Sequence, residues 1–237
     1  MAKSVVLTRR RLMAFSAMIG ATQLAGCATG GLPKTVPIPF EQPRASRPVG
    51  PPSPADLASM YAEAVDENQT MAAVPYDKID PRFYRQRVMD PTGEAPGTVI
   101  VDTPARFLYV VEPGGTAMRY GVGIGREGFA WAGEGVIQWR QKWPRWKPPN
   151  EMVARQPELA KYSIENGGME GGIDNPLGAR ALYIFSDGKD TLYRLHGTND
   201  WRSIGKAVSS GCVRLLNQDV IDLYTRVPIK ARVIVRQ

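Results

Sequence analysis

In ALYIFSDGKDTLYRLHGTNDWRSIGKAVSSGCVRLLN, residues 181–217, two β-rich runs flank SDGKD. An Asp-Gly pair between alternating apolar residues is the turn chemistry of a tight hairpin. ALYIF and TLYRLHG therefore read as adjacent antiparallel strands, with His196 at the downstream end of the second. The chain has 1 His and 2 Cys, and the histidine stands sixteen positions before Cys212 in a stretch rich in Gly and Ser. Past the cysteine, Asn217 reads as the cap of a helix whose apolar positions Val220, Ile221, Tyr224 and Val227 are helically spaced and which stops before Pro228.

Working outward, TVIVD, RFLYVVE and TAMRYGVGIG are further β-rich runs, separated by the turn segments DTPAR and EPGGT, and KARVIVRQ makes a last strand. The domain is expected to be mainly β, with one or two short helices. Upstream, Leu57, Met60, Tyr61, Ala64 and Val65 recur at helical spacing and predict a helix over 56–68. The stretch from there to Pro96 has no clear period. In QWRQKWPRWKPP, Trp139, Trp143 and Trp146 alternate with Lys142, Arg145 and Lys147. They read as packing for a long loop, part of which borders a substrate groove that Trp146 would line. GGIDNPLGAR, residues 171–180, is either a second substrate-facing loop or a turn into ALYIF.

The formal charge of +7 does not argue for a nucleic-acid partner, because Lys3, Arg9, Arg10 and Arg11 lie within the first 26 residues, which hold no Asp or Glu. That segment, residues 1–26, reads as an export signal: a basic start, a run from Leu12 to Ala25 shorter than the about 20 residues a spanning helix needs, then LAGC. LAGC resembles a lipoprotein signal in which Cys27 is acylated, and the paired arginines after Thr8 resemble a twin-arginine export signal. Residues 28–54 carry Pro33, Pro37, Pro39, Pro43, Pro48, Pro51, Pro52 and Pro54, a composition that favours extended chain over a core. Residues 27–96 are therefore expected to form an anchor cysteine, a Pro-rich stalk and a short helical region, ahead of a catalytic domain over 97–237. With Cys27 acylated, Cys212 has no intramolecular partner, and an unpaired thiol in an oxidising compartment calls for a chemical role.

A histidine within hydrogen-bond reach turns a thiol into a nucleophile. Ser209, Ser210 and Gly211 give the approach to Cys212 small side chains and accessible N–H groups suited to an oxyanion, and Arg214, two residues on, shares its face. Zinc would want three or four local ligands, and one His, one distant Cys and no CxxC or HExxH argue against it. The pair alone also fits an inert buried thiol beside a structural histidine.

The longer pattern is more specific. HGTND, SIGKAVSSGCVRL, IGREGFAWAGEGVIQWRQKWPRWKPPNEM and GGIDNPLGARALYIF, in this order across about 97–237, resemble the L,D-transpeptidase catalytic domain family, YkuD-like or ErfK/YbiS/YcfS/YnhG. The resemblance implies a β-sandwich-like catalytic domain without metal or organic cofactor. It also implies Cys212 as nucleophile toward the bond between meso-diaminopimelate and D-Ala of a peptidoglycan tetrapeptide stem, and carbapenems as acylating probes. By the same resemblance His196 is the general base, the Gly197 carbonyl orients it, N–H groups about Gly211 and Cys212 hold the oxyanion, and Arg214, Ser209 and Ser210 meet substrate. Many members carry a second histidine directly before the GC, where Ser210 stands here. The acyl acceptor stays open between diaminopimelate, a free D-amino acid and an outer-membrane protein. Two other readings also stay open: an L,D-carboxypeptidase or amidase using the same thiol, and a non-catalytic peptidoglycan-binding lipoprotein. Export and a lipid anchor imply a periplasmic location, at the outer rather than the inner membrane.

Overall fold

The structure, a computed structural model, describes residues 49–125, 131–209 and 211–237. The export signal, Cys27, the Pro-rich run before Val49 and Ser210 lie outside the described residues. The chain order is α1 (Pro54–Met60), β1 (Ala64–Asp66), β2 (Gln69–Met71), β3 (Gln86–Met89), β4 (Val99–Asp102), β5 (Phe107–Glu112), β6 (Thr116–Gly121), β7 (Ile124–Gly125), β8 (Gly133–Lys142) and α2 (Asn150–Arg155). It continues with β9 (Arg180–Ser186), β10 (Lys189–Thr198), β11 (Ala207–Ser209), β12 (Val213–Leu216), α3 (Asn217–Arg226) and β13 (Arg232–Arg236). No described helix is long and apolar enough to cross a membrane.

Nine strands form one mixed sheet in the order β12-β10-β9-β8-β13-β4-β5-β6-β3. The expected meander is present: β4, β5 and β6 pair antiparallel in sequence. So is the hairpin, where Asp187 and Gly188 both have positive φ and turn β9 back into β10. The last strand, β13, enters mid-sheet, parallel to β4 and antiparallel to β8. One core unites Leu108 and Met118 of β5 and β6 with Leu195 and Val213 of β10 and β12, from opposite halves of the sheet. The sheet therefore folds over itself, and the sandwich-like packing comes from one continuous sheet. Val220 and Leu223 of α3 are fully buried in the same core, and α3 packs on β9, β10 and β12. Truncating a fully buried side chain such as Leu182 or Leu195 to Ala costs about 2–5 kcal/mol.

Four local readings differ. The helix expected over 56–68 ends at Met60, after a capping box between Ser53 and Asp56, and the chain then turns through Glu67, at φ 55, to form the β1–β2 hairpin. Val65, expected on the apolar face, is exposed, while Tyr61 is buried and anchors the helix end. QWRQK is not loop but the second half of β8, so only Trp143 and Trp146 belong to the loop. Residues with no legible period include β3, which pairs with β6 and forms the edge of the main sheet ahead of position 97. Asn217 does not cap α3; it is the first helical residue, and its Oδ1 accepts from the Ala179 N–H at 2.9 Å.

Candidate active site

β12 runs parallel to β10, with Leu195 opposite Val213 and His196 opposite Arg214. Parallel neighbours need a crossover of about a dozen residues or more. The chain after Thr198 supplies it through a 3₁₀ turn at Trp201–Ser203 and through β11, which pairs with β7. Gly123 then exchanges two backbone hydrogen bonds with Arg214, at 2.9 and 2.7 Å. The interval between His196 and Cys212 is thus the length of chain that returns the thiol to the strand beside the histidine.

Two cross-strand rows define the outer face of this half-sheet. Gln141, Ala181, His196 and Arg214 are register partners across β8, β9, β10 and β12. Trp139, Tyr183 and Arg194 form the row two residues away on the same face, and extending the β10–β12 register by one residue aligns Cys212 with Arg194. A hydrogen bond of 3.2 Å from the Tyr183 hydroxyl to Gln141 Oε1 ties the rows together. His196 and Cys212 are therefore diagonal neighbours, at positions roughly 7–8 Å apart along the backbone, a gap an imidazole and a thiol close between them.

His196 is only 4% exposed, and its Nδ1 lies 2.8 Å from the Gly197 carbonyl oxygen. A carbonyl can only accept, so this contact assigns the proton to Nδ1 and leaves the Nε2 lone pair available. Burial lowers the His196 pKa to about 4; the Gly197 hydrogen bond opposes the shift, and the charges of Arg214 and Arg194 add to it. The ring is neutral at neutral pH. Its seat depends on glycine: a Cβ at Gly197 would lie 2.3 Å from Asn217 Oδ1, and one at Gly178, itself at φ +59, would meet the same oxygen at 2.3 Å. Both glycines let Asn217 reach Ala179 and fix the end of β10 against α3.

Cys212 is partly exposed and follows Gly211, whose φ of +132° strains any other residue. Its Sγ lies 3.8 Å from the Leu192 carbonyl oxygen. Burial about the sulfur pushes the thiol pKa up, opposed by a hydrogen bond from the Arg194 backbone and by the charges of Arg194 and Arg214. A thiolate stabilised by His196 in the resting protein is thus not what the site contains: both partners rest neutral. Arg214 is partly buried, and its Nε has no hydrogen-bond partner among the described residues.

The carbonyl facing the thiol belongs to a two-residue bulge in β10, between the pairs Asp190–Phe185 and Arg194–Tyr183. Asp190 accepts from the Leu192 N–H at 2.9 Å and holds the Arg194 guanidinium at 2.6 and 2.7 Å, while Thr191 Oγ1 donates to the Ile184 carbonyl at 2.7 Å. Leu192 protrudes from this bulge at φ 60 and 69% exposed. Without the bulge, Tyr183 would pair two residues earlier, with Leu192, and would not lie beside Arg194.

The remaining expected site residues divide. Ser209 pairs through its backbone with Gly125, and Ser210 lies outside the described residues. Trp146 is tied into its own loop by a bridge to Met169 and a ring contact with Tyr162. Trp143 donates to Asp66 at 2.8 Å, and Asp66 also holds the buried Arg180 at 2.7 and 2.8 Å, so the β1–β2 hairpin braces the entry to β9. In the DNP loop, the buried Asn175 bonds the carbonyls of Met169 and Glu170 and the N–H of Leu177, which makes that loop a built turn. The sequence did not show that Asn217 and Gly178 support the seat of His196, nor that β10 bulges at 190–194. For Gly178 the G between Leu177 and Ala179 was the available signal; for the bulge there was none, since no glycine marks it.

This face can be compared with known proteins. Residues 96–235 match the family model YkuD, described as the L,D-transpeptidase catalytic domain. "Probable L,D-transpeptidase ErfK/SrfK" of Escherichia coli K12 is 32% identical over 62% of this chain and 46% of its own length, and "Probable L,D-transpeptidase YbiS" of the same strain is 33% identical over 62% and 47%. The chain thus spans about half the length of these curated relatives. A solved Brucella melitensis structure described as a probable carnitine operon oxidoreductase is 46% identical, over 65% of this chain and 94% of that one, with a TM-score of 0.46. With more than half of its residues, the whole His196–Cys212 crossover among them, inside the family model, the chain belongs to the YkuD family of L,D-transpeptidase catalytic domains.

Proposed function

We propose that this protein is a peptidoglycan L,D-transpeptidase in which Cys212 carries the acyl group and His196 moves the proton. The observation that carries the reading is the imidazole fixed by the Gly197 carbonyl at 2.8 Å, one diagonal step from the thiol on a shared face. Because both groups rest neutral, the thiol proton passes to Nε2 as Sγ attacks the carbonyl carbon between the L-centre of diaminopimelate and D-Ala. The carbonyl oxygen becomes an oxyanion facing the N–H groups of Gly211 and Cys212. The imidazolium then protonates the departing D-Ala nitrogen, the C–N bond breaks, and a thioester remains. An acceptor amine attacks the thioester, gives its proton to His196, and the thiol is restored. Diaminopimelate of a neighbouring stem as acceptor yields a 3→3 cross-link; an amine of an envelope protein would attach that protein to the wall.

Arg214 supports the same reading, since it is the register partner of His196 and carries a cation suited to a stem carboxylate. The lipoprotein-like LAGC would hold the domain at the periplasmic face of a membrane through Cys27. Incubation with defined tetrapeptide muropeptides, followed by mass analysis, tests the proposal. Cross-linked dimer with release of D-Ala is the expected product; tripeptide alone would make the protein an L,D-carboxypeptidase, and retention without turnover would make it a binding lipoprotein.

A further inference from the structure

The outer row that ends at Cys212 has a use beyond the thiol. At its far end Trp139 is 54% exposed, although an indole is the side chain whose apolar area costs most to leave in water. Its ring stacks on Tyr183 with centroids 4.9 Å apart and an interplanar angle of 22°. On the other flank of Tyr183, the Arg194 guanidinium lies 4.6 Å from the ring centroid and is clamped by both Asp190 oxygens. The stack is a braced shelf: strand register sets its members in line, and the ion pair keeps Tyr183 from tilting. The free face of Trp139 is thus held in one plane, and Gln141 stands two residues along on the same face of β8.

Adjacent strands lie about 4.8 Å apart, so three intervals along the row put Trp139 roughly 14 Å from Cys212. In the stem substrate proposed above, three residues precede the attacked bond, and extended they reach about 10–11 Å. The lactyl ether that joins the stem to its sugar adds the remainder. From this match we propose that Trp139, braced by Tyr183 and Arg194, is a carbohydrate subsite that takes the N-acetylmuramyl sugar of the donor stem. A pyranose presents a face of C–H bonds to an indole and hydroxyl groups to a neighbouring amide such as that of Gln141, and this face offers both. This subsite rests on the peptidoglycan reading for its distance argument, and its chemistry is separable from that of the thiol.

The test is binding, measured by titration calorimetry on a Cys212→Ala protein, with disaccharide-tetrapeptide and sugar-free tetrapeptide as the two ligands. The expected result is that the sugar tightens binding about tenfold, that Trp139→Ala in this background removes the preference, and that Trp139→Phe keeps part of it. Equal affinity for the two ligands with Trp139 in place, or no binding of the disaccharide-tetrapeptide, overturns the subsite. D-Ala release by the wild-type protein is followed separately. Release without sugar preference would leave the transpeptidase standing and the subsite refuted; sugar preference without release would keep the subsite and sink the reaction.

Discussion

The two halves of the site are built in opposite ways. His196 sits inside a ten-residue strand, almost wholly buried, with its tautomer fixed by a backbone carbonyl and the next residue, Gly197, packed against the Asn217–Ala179 hydrogen bond. Cys212 arrives at the end of a crossover, partly exposed, directly after a glycine in a conformation other residues avoid. The difference suits the tasks proposed for them. A base that must stay neutral and aimed benefits from a dry, rigid seat, whereas a nucleophile that must meet a bulky stem needs an open approach. Burial then acts on both: it lowers the histidine and raises the thiol, so charge separation waits for substrate.

The sharpest way to break this division of labour is to remove each partner in turn. Cys212→Ala should abolish acylation altogether, while His196→Gln should slow it by about 10²–10⁴-fold, measured as the rate of covalent adduct formation. Equal rates in wild type and His196→Gln would leave the histidine a structural role only.

A pH titration of stability separates the halves next. The unfolded chain protonates His196 at its ordinary 6.5, while the folded chain resists until about 4. Its contribution is therefore fully present above 6.5 and is lost as pH falls toward 4, by on the order of 3 kcal/mol. Asp219, fully buried and raised by burial to about 7, works in the opposite sense: its contribution is present at acid pH and lost as pH rises through 7. Denaturant unfolding of wild type and His196→Gln across this window isolates the histidine, because Asp219 is common to both. A difference that does not change with pH would contradict the buried neutral ring.

Gly197→Ala should come next in size. Its Cβ would overlap Asn217 Oδ1 and approach the Ala179 N–H, for a loss of about 1–3 kcal/mol in unfolding free energy. The smallest effect is expected on the thiol side of the strand. Leu192→Gly should relieve the positive φ and stabilise by about 1 kcal/mol, while the carbonyl facing Cys212 stays. Destabilisation there would mean that the exposed leucine packs more than its surroundings indicate.

Much of this site was legible in the sequence because it depends on local chemistry. Asp187-Gly188 marked the hairpin, and the β-rich runs ALYIF and TLYRLHG marked its two strands. The length of the segment between His196 and Cys212 makes sense once it is a parallel crossover. What was not legible depends on distant partners. Ala64 and Val65 continue a helical period, yet the chain forms a hairpin whose Asp66 is drawn to Arg180 and Trp143, 114 and 77 positions away. Asn217 has the composition of a cap, yet Ala179 across the fold claims its oxygen. The bulge at 190–194 slides Tyr183 under Arg194, and it is stapled by side chains of Asp190 and Thr191 that suit an exposed turn equally well. The thiol's raised pKa could not be read from its neighbours in sequence, since it reflects burial by strands that arrive from elsewhere.

The most direct test of the account is intact-mass spectrometry of the protein after exposure to a carbapenem, with Cys212→Ala and His196→Gln alongside. The account expects a stoichiometric adduct on the wild type, none on Cys212→Ala, and a much slower one on His196→Gln. A folded wild-type protein that stays unmodified, or a His196→Gln variant that reacts at the wild-type rate, would contradict it.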